Sequence, residues 1–142
     1  MKTIWLVIPC YNEEEILSKT AECTKNLMYA LIGTGKISKA SRILFINDGS
    51  KDRTYEIIQD LCKEDKIFAC VNLSRNRGHQ NALLAGLMTA KNYADAVISM
   101  DADLQDDINV IEDFIDNFEN GYDVVYGVRC DRTTDTLFKK FT

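Results

Sequence analysis

Asp95-Ala-Val-Ile-Ser-Met-Asp101-Ala102-Asp103-Leu104-Gln105-Asp106 is the stretch that decides how the rest of the chain is read. An apolar run delivers two carboxylates, Asp101 and Asp103, one residue apart at its polar end. Alternate residues of a strand point to the same face, so a strand over 96–101 predicts that the two carboxylates converge on one point. Two anions held that close repel unless something positive sits between them. Hard oxygen donors with no His or Cys nearby favour Mg2+ or Mn2+. The stretch therefore predicts a metal-diphosphate site at a strand end. The competing reading is an acidic helix start in which Asp106 or Asp107 serves as N-cap, and the neighbouring segments decide between the two.

Upstream, Ile4-Trp-Leu-Val-Ile8 is a continuous apolar run closed by Pro9, as expected of a strand buried on both faces and ended by a residue without a donor. Asn12 follows as a candidate N-cap, with Glu13, Glu14 and Glu15 in a first helical turn where the helix dipole favours negative charge. Ile16, Cys23, Leu27, Ala30 and Leu31 then keep one helical face as far as Gly33. After a polar loop over 33–41, Arg42-Ile-Leu-Phe-Ile46 reads as a second buried strand. It ends in Asn47-Asp48-Gly49-Ser50-Lys51-Asp52, where Asp52 is placed to cap the helix of Tyr55, Ile58 and Leu61. A third strand covers 67–73. The next helix, over 80–91, carries the small residues Ala82, Ala85, Gly86 and Ala90, which would let it lie close against a sheet. The paired aspartates end the fourth strand, a helix covers 107–120, and Tyr122-Asp-Val-Val-Tyr-Gly-Val128 makes a fifth strand.

The order βαβαβαβαβ predicts an α/β fold, a parallel sheet flanked by helices with right-handed crossovers. Ligands of such sheets bind at the carboxyl ends of the strands. Tyr11, Asp48, Arg75, Asp101 and Asp103 all fall at those ends, whereas chance would scatter them.

Bulk properties narrow the alternatives. The 142 residues suffice for one domain with a real core. With 46% hydrophobic and 27% charged residues the chain is not a disordered one. A net charge of −5, with no Lys/Arg run among aromatics, argues against a nucleic-acid surface. Five scattered cysteines in mostly apolar settings read as reduced thiols of a cytosolic protein rather than a disulfide frame or a zinc site. The N-terminal apolar run is too short for a signal peptide and is followed by Tyr-Asn-Glu-Glu-Glu instead of a cleavage site. No segment approaches the roughly 20 apolar residues that span a bilayer, and what is present is expected to be soluble.

Five motifs, in order, carry a resemblance. They are Val7-Ile-Pro9-Cys-Tyr11-Asn12-Glu13-Glu14, Asn47-Asp48-Gly49-Ser50-Lys-Asp52-Arg-Thr54, Leu73-Ser-Arg75-Asn76-Arg-Gly78, Met100-Asp101-Ala-Asp103-Leu-Gln105-Asp106 and Gly121-Tyr-Asp-Val-Val-Tyr-Gly-Val-Arg129. Together they resemble the inverting family-two glycosyltransferases over nearly the whole chain. The branch they look most like includes dolichyl-phosphate mannose synthases and bacterial polyprenyl-phosphate (bactoprenol) glucosyltransferases. The resemblance implies a GT-A, Rossmann-like fold, a UDP- or GDP-sugar donor, a divalent metal, and a hexose passed with inversion to an acceptor such as a polyprenyl phosphate.

Carried over position by position, Pro9, Tyr11 and Glu13 would line the nucleoside pocket, and Asp48 would accept a hydrogen bond from the base edge. A carboxylate only accepts, and uracil and guanine both offer an N–H there, so Asp48 does not tell them apart. Asp101 and Ala102 would meet the ribose or diphosphate. Asp103 would hold Mg2+ or Mn2+, helped by Gln105 and with Asp101 beside it. Arg75 and Arg129 would reach the nucleotide, Arg129 at its diphosphate. A lipid phosphate acceptor is already anionic, so positioning counts for more than basicity; acceptor-side groups, and any catalytic base, are expected beyond residue 142.

The plainer competitors are strand-end packing for Tyr11, turn formation for Asp48, a dipole role for Glu13, a surface ion pair for Arg75, and a polar cap role for His79. Residues 1–128 read as the nucleotide-sugar-binding half and 129–142 as the start of an acceptor region, in which Leu137, Phe138 and Phe141 begin an amphipathic helix. Residues beyond about Arg132 are expected to be disordered or docked on a neighbouring copy, which would make a homo-oligomer. Membrane contact, at the inner face of a cytoplasmic membrane, is implied only through segments beyond the chain. Three rival functions stay open: a nucleotidyltransferase, although the loop after the first strand is acidic and lacks glycine, a non-catalytic nucleotide- or Mg2+-binding regulatory module, and a metal-free interaction domain in which the grouping of polar residues at strand ends is accidental.

Overall fold

A computed structural model of the chain describes residues 1–105 and 107–127. The elements run β1 (Ile4–Cys10), α1 (Leu17–Gly33), β2 (Arg42–Asn47), α2 (Thr54–Glu64), β3 (Phe68–Asn72), α3 (His79–Ala90), β4 (Ala96–Ser99) and α4 (Val110–Glu119). The four strands form one parallel sheet in the order β3-β2-β1-β4. The expected α/β architecture is therefore what the chain adopts.

Strand order explains the layers. The chain steps outward from β1 to β2 to β3 through α1 and α2, then returns to the far side of β1 to lay down β4. Right-handed crossovers in opposite directions put their helices on opposite faces. On the α3 face, Trp5, Val7, Leu44 and Ile46 pack with Ala82 and Ala90. The alternate residues Leu6, Ile8, Ile43 and Phe45 are fully buried on the other side, where α1 and α2 run.

The small-residue stripe of α3 does what its sequence suggested. Ala82, Gly86 and Ala90 recur every four residues and are buried. A Cβ on Gly86 would lie 2.5 Å from Val7 Cγ1 and 2.6 Å from Ile46 Cδ1, so the helix backbone rides directly on the side chains of β1 and β2.

Four expectations need correction. First, Pro9 lies inside β1, paired with Ile46 of β2; a strand tolerates proline where the missing N–H would face an unpaired side. Second, α1 starts at Leu17, with no acidic residue in its first turn and Ile16 as an N-cap without a side-chain bond. Asn12 does not cap it, because its Oδ1 accepts the Lys51 N–H (2.8 Å) across the loops. Third, β4 ends at Ser99, so Asp101 sits on the loop beyond the strand. Fourth, residues 122–127 form no strand, and Val124 and Tyr126 are exposed. Apolar alternation reports a face, but a strand exists only through pairing, and no described residue pairs there.

By compactness the chain divides into units 1–106 and 107–142. In the second, α4 keeps Val110, Ile111 and Ile115 buried, and its end is closed by the Tyr122 N–H donating to the Asn117 carbonyl (3.2 Å). Residues 128–142, including Val128 of the expected fifth strand and Arg129, lie outside the described residues, as does Asp106. No helix among the described residues is long and apolar enough to cross a membrane.

Candidate functional site

Because β1 is flanked by β2 on one side and β4 on the other, the sheet has its topological switch point at the β1/β4 edge, where loops diverge and leave a crevice. A cleft of about 410 Å3 opens there. Pro9, Cys10, Tyr11 and Glu13 come to it from the end of β1, Asp48 from the end of β2, Asn76, Gly78 and His79 from the approach to α3, and Asp101, Ala102 and Asp103 from the loop after β4. A smaller cleft of about 220 Å3 adjoins it, sharing Pro9, His79 and Asp101 and adding Leu83, Ser99 and Met100.

Pro9 shapes the β4 side. In the parallel register Val7↔Ser99, the Met100 N–H donates to the Val7 carbonyl (3.1 Å). The next rung would need a Pro9 N–H for the Met100 carbonyl, and proline has none. The ladder stops, and the chain carrying Asp101 leaves the sheet. Its backbone is then held from the other side, where the buried Thr20 hydroxyl of α1 donates to the Ala102 carbonyl (2.5 Å). Asp103 Oδ1 accepts the Gln105 N–H (3.1 Å) in a tight turn. Leu104, between them, has φ +58°, and Asn12, just past Tyr11, has φ +51°. These are the only non-glycine residues with positive φ among those described, and both border the cleft. Such backbone costs about 1–2 kcal/mol per residue and persists where its surroundings enforce it.

Asp48 is 3% exposed and accepts the Arg77 N–H at Oδ1 (2.7 Å). Gly49 beside it has φ +67°, and a Cβ there would collide with the backbone of Arg75 and Asn76. Only glycine lets the turn after β2 press against the loop after β3, which is how Asp48 and Asn76 come to line one cleft.

The lining holds Glu13, Asp48, Asp101 and Asp103 and, among the described residues, no Lys or Arg. Its charge is felt at Glu13, whose carboxyl is pushed above its ordinary value by burial first, then by the charges of Asp103, Asp52 and Asp101. Burial also drives the Cys10 thiol far above the usual thiol range. His79 Nε2 lies 3.7 Å from Asp101 Oδ1, which corrects the expectation that no histidine stands near the paired aspartates.

Asp101 and Asp103 offer hard oxygen donors with His79 beside them, and among the described residues no three His, Cys, Asp or Glu side chains form a group that could hold a metal ion. Carboxylate oxygens of this kind suit Mg2+ or Mn2+, ions that take one or two carboxylates and leave their other positions to substrate phosphates and water. Of the residues singled out in the sequence, Pro9, Tyr11, Glu13, Asp48, Asp101, Ala102 and Asp103 are brought together. Arg75 is exposed and outside the lining, and its neighbours Asn76, Gly78 and His79 line the cleft instead. Gln105 touches the site through its backbone bond to Asp103 and is not in the lining. Cys10, Asn76, Gly78 and His79 are site residues that the sequence reading did not place there.

The sequence matches the family profile of glycosyl transferase family 2 over residues 5–142. The chain belongs to that family. Relatives include the uncharacterized glycosyltransferase YkoT of Bacillus subtilis, 49% identical over 96% of this chain and 41% of its own length. The prophage bactoprenol glucosyl transferase homolog of Escherichia coli is 41% identical over 98% of this chain and 43% of its own. An undecaprenyl-phosphate 4-deoxy-4-formamido-L-arabinose transferase of Pectobacterium atrosepticum is 38% identical over 99% and 40%. The chain thus spans about two-fifths of the length of the curated relatives it matches. Among solved structures, Staphylococcus aureus TarS 1–349 in complex with UDP superposes with a TM-score of 0.54 at 16% identity, covering 89% of this chain and 41% of that one. Fold and family agree: this is a family-two glycosyltransferase sequence in a GT-A type, Rossmann-like α/β fold.

Proposed function

We propose that residues 1–128 form the nucleotide-sugar-binding half of an inverting hexosyltransferase whose donor is a UDP- or GDP-sugar and whose acceptor is a polyprenyl phosphate. The observation that carries the reading is the convergence of Tyr11, Asp48, Asp101 and Asp103, from three separate strand ends, on one acidic cleft at the switch point of the sheet. Relatives named as bactoprenol glucosyl and undecaprenyl-phosphate transferases support the lipid-phosphate acceptor, and with it action at the inner face of the cytoplasmic membrane.

In this reading the partly exposed Tyr11 ring stacks on the base, and Pro9 and Glu13 line the nucleoside pocket. One Asp48 oxygen is already engaged with Arg77, which leaves the other to accept a base N–H. Asp101 and the Ala102 backbone meet the ribose or diphosphate, Arg75 serves the nucleotide from outside the cleft lining, and Arg129 is assigned to the diphosphate. A Mg2+ or Mn2+ ion held by Asp103 and Asp101, with Gln105 alongside, would supply Lewis-acid stabilisation of the charge that grows on the departing diphosphate. An acceptor phosphate is already anionic, so orienting it behind the anomeric carbon replaces proton abstraction as the main requirement.

Calorimetric titration of UDP and GDP, with and without Mn2+ or Mg2+, tests the assignment. Nucleotide binding should be metal-promoted, and Asp103→Asn should abolish the metal dependence. Metal-promoted binding that persists in Asp103→Asn would refute the site.

A further inference from the structure

The motif Asn47-Asp48-Gly49-Ser50-Lys-Asp52-Arg-Thr54 extends well past Asp48, and the reading above gives its second half no task. The structure does. The Asn12 N–H donates to Ser50 Oγ (3.0 Å), and the Lys51 N–H donates back to Asn12 Oδ1 (2.8 Å). The Glu13 N–H donates to Thr54 Oγ1 (2.8 Å), and the Glu14 N–H to Asp52 Oδ2 (3.2 Å). The Arg53 N–H returns to Glu14 Oε2 (3.2 Å).

Five bonds thus zip residues 12–14 to residues 50–54, alternating between backbone and side-chain partners. Thr54 is fully buried, and its N–H is tied to Asp52 Oδ1 (2.9 Å). Asp52 is anchored in turn. Burial would raise its carboxyl, but hydrogen bonds from the Thr54 hydroxyl and N–H and from the Glu14 N–H outweigh that and hold it below the ordinary carboxylate value.

The donors of the clasped segment are satisfied from outside it. α1 does not begin until Leu17 and has no side-chain cap; the Glu13 carbonyl accepts the Ile16 and Leu17 N–H groups (3.1 and 2.9 Å), which leaves the N–H groups of residues 12–14 to the opposing loop. Asn12 sits in left-handed backbone immediately after Tyr11, a conformation that turns the chain and is disfavoured unless its surroundings impose it. Here the Asn12 backbone N–H and side-chain oxygen are both engaged by the opposing loop.

We infer that Ser50, Asp52 and Thr54 are positioning residues of the nucleotide cleft. By clasping residues 12–14 they hold Tyr11 and Glu13 at a fixed distance from Asp48, which the same loop carries at its start. Base stacking and base-edge recognition are thereby set by one unit rather than by two independently mobile loops. The inference rests on the reading that this cleft takes a nucleoside diphosphate.

The test uses the full chain and three variants, Thr54→Val, Thr54→Ser and Ser50→Ala, titrated with UDP and GDP at saturating Mn2+. Amide hydrogen exchange at residues 12–14 is followed beside that of Leu6 and Val7 in β1. Thr54→Val and Ser50→Ala should each weaken binding of the nucleotide that the parent binds by about tenfold, the scale of one lost buried hydrogen bond. Exchange at 12–14 should accelerate while Leu6 and Val7 keep theirs, and Thr54→Ser should restore both properties. Unchanged affinity in Thr54→Val and Ser50→Ala, with the parent binding normally, overturns the positioning role alone. Ser50→Ala, at a half-buried site, decides the matter if Thr54→Val does not fold. A parent that binds neither UDP nor GDP overturns the nucleotide reading and the positioning role with it.

Discussion

Replacing Asp48 by Asn separates its two tasks. Its Oδ1 accepts the Arg77 N–H at 2.7 Å in a nearly fully buried position. An amide can keep that bond only by turning its oxygen toward Arg77, which aims its NH2 into the cleft. There it would meet an N–H of uracil or guanine, donor against donor. The lost bond is one to a charged acceptor, worth about 1.5–3 kcal/mol. At about 1.4 kcal/mol per decade, that predicts nucleotide affinity reduced by about 10- to 150-fold. Thermal stability should change little, because the structural bond survives. Asp48→Ala would lose both, destabilising the fold by about 1–3 kcal/mol as the Arg77 N–H loses its acceptor. The assay is calorimetric titration of UDP and GDP with Mn2+ present, beside thermal melts of the three proteins. An Asp48→Asn protein that binds either nucleotide as tightly as the parent would refute the assignment of Asp48 to the base edge.

Other perturbations probe the scaffold and the charge. Gly86→Ala should gain about 1 kcal/mol of helix propensity but force a methyl against Val7 and Ile46, where overpacking costs about 1–3 kcal/mol. A melt should show a net loss of stability, and adding Val7→Ala should cost less than the sum of the two single changes. Glu13 has its pKa raised in the folded state by burial and by neighbouring carboxylates, so its contribution is whole below its ordinary value of 4.5 and is lost as pH rises through the folded value. Glu13→Gln should therefore melt higher than the parent at neutral pH, and the difference should close as pH falls below about 4.5; a difference that does not vary with pH would refute the electrostatic account. Pro9→Ala restores an N–H opposite the Met100 carbonyl and should extend the β1–β4 ladder by one rung, drawing Asp101 into the sheet. Nucleotide binding should weaken while stability holds or rises, and a new protected amide at position 9 is the direct readout.

The sheet was legible because its evidence is local and redundant. Each buried strand is an apolar run closed by turn residues, each crossover an amphipathic stretch, and the stripe Ala82, Gly86, Ala90 announced how closely α3 would pack. Burial of Ile4–Cys10 along its whole length is what a central strand under two helical layers requires. The convergence of Tyr11, Asp48, Asp101 and Asp103 followed from the rule that parallel strands deliver their loops to one edge. What the sequence hid depends on partners distant in the chain. Asn12 has the chemistry of an N-cap, and only the loop after β2, nearly forty residues on, claims its oxygen for Lys51. Arg75 has the chemistry of a phosphate ligand, yet its neighbours Asn76, Gly78 and His79 enter the cleft while it does not.

Strand alternation does not bring the paired aspartates together, because β4 stops at Ser99. They line one cleft for a different reason. Pro9 denies β4 its next rung, Thr20 holds the Ala102 carbonyl from α1, and the Asp103–Gln105 turn with Leu104 in left-handed backbone brings the second carboxylate round. A carboxylate pair fixed by a regular strand would be committed to the sheet's hydrogen-bond geometry. A pair on a loop is free of that geometry and is set instead by the Thr20 bond at its base and the Leu104 turn at its tip. The residue that ends the ladder, Pro9, also lines the cleft; one missing donor both frees the acidic loop and shapes the wall it faces.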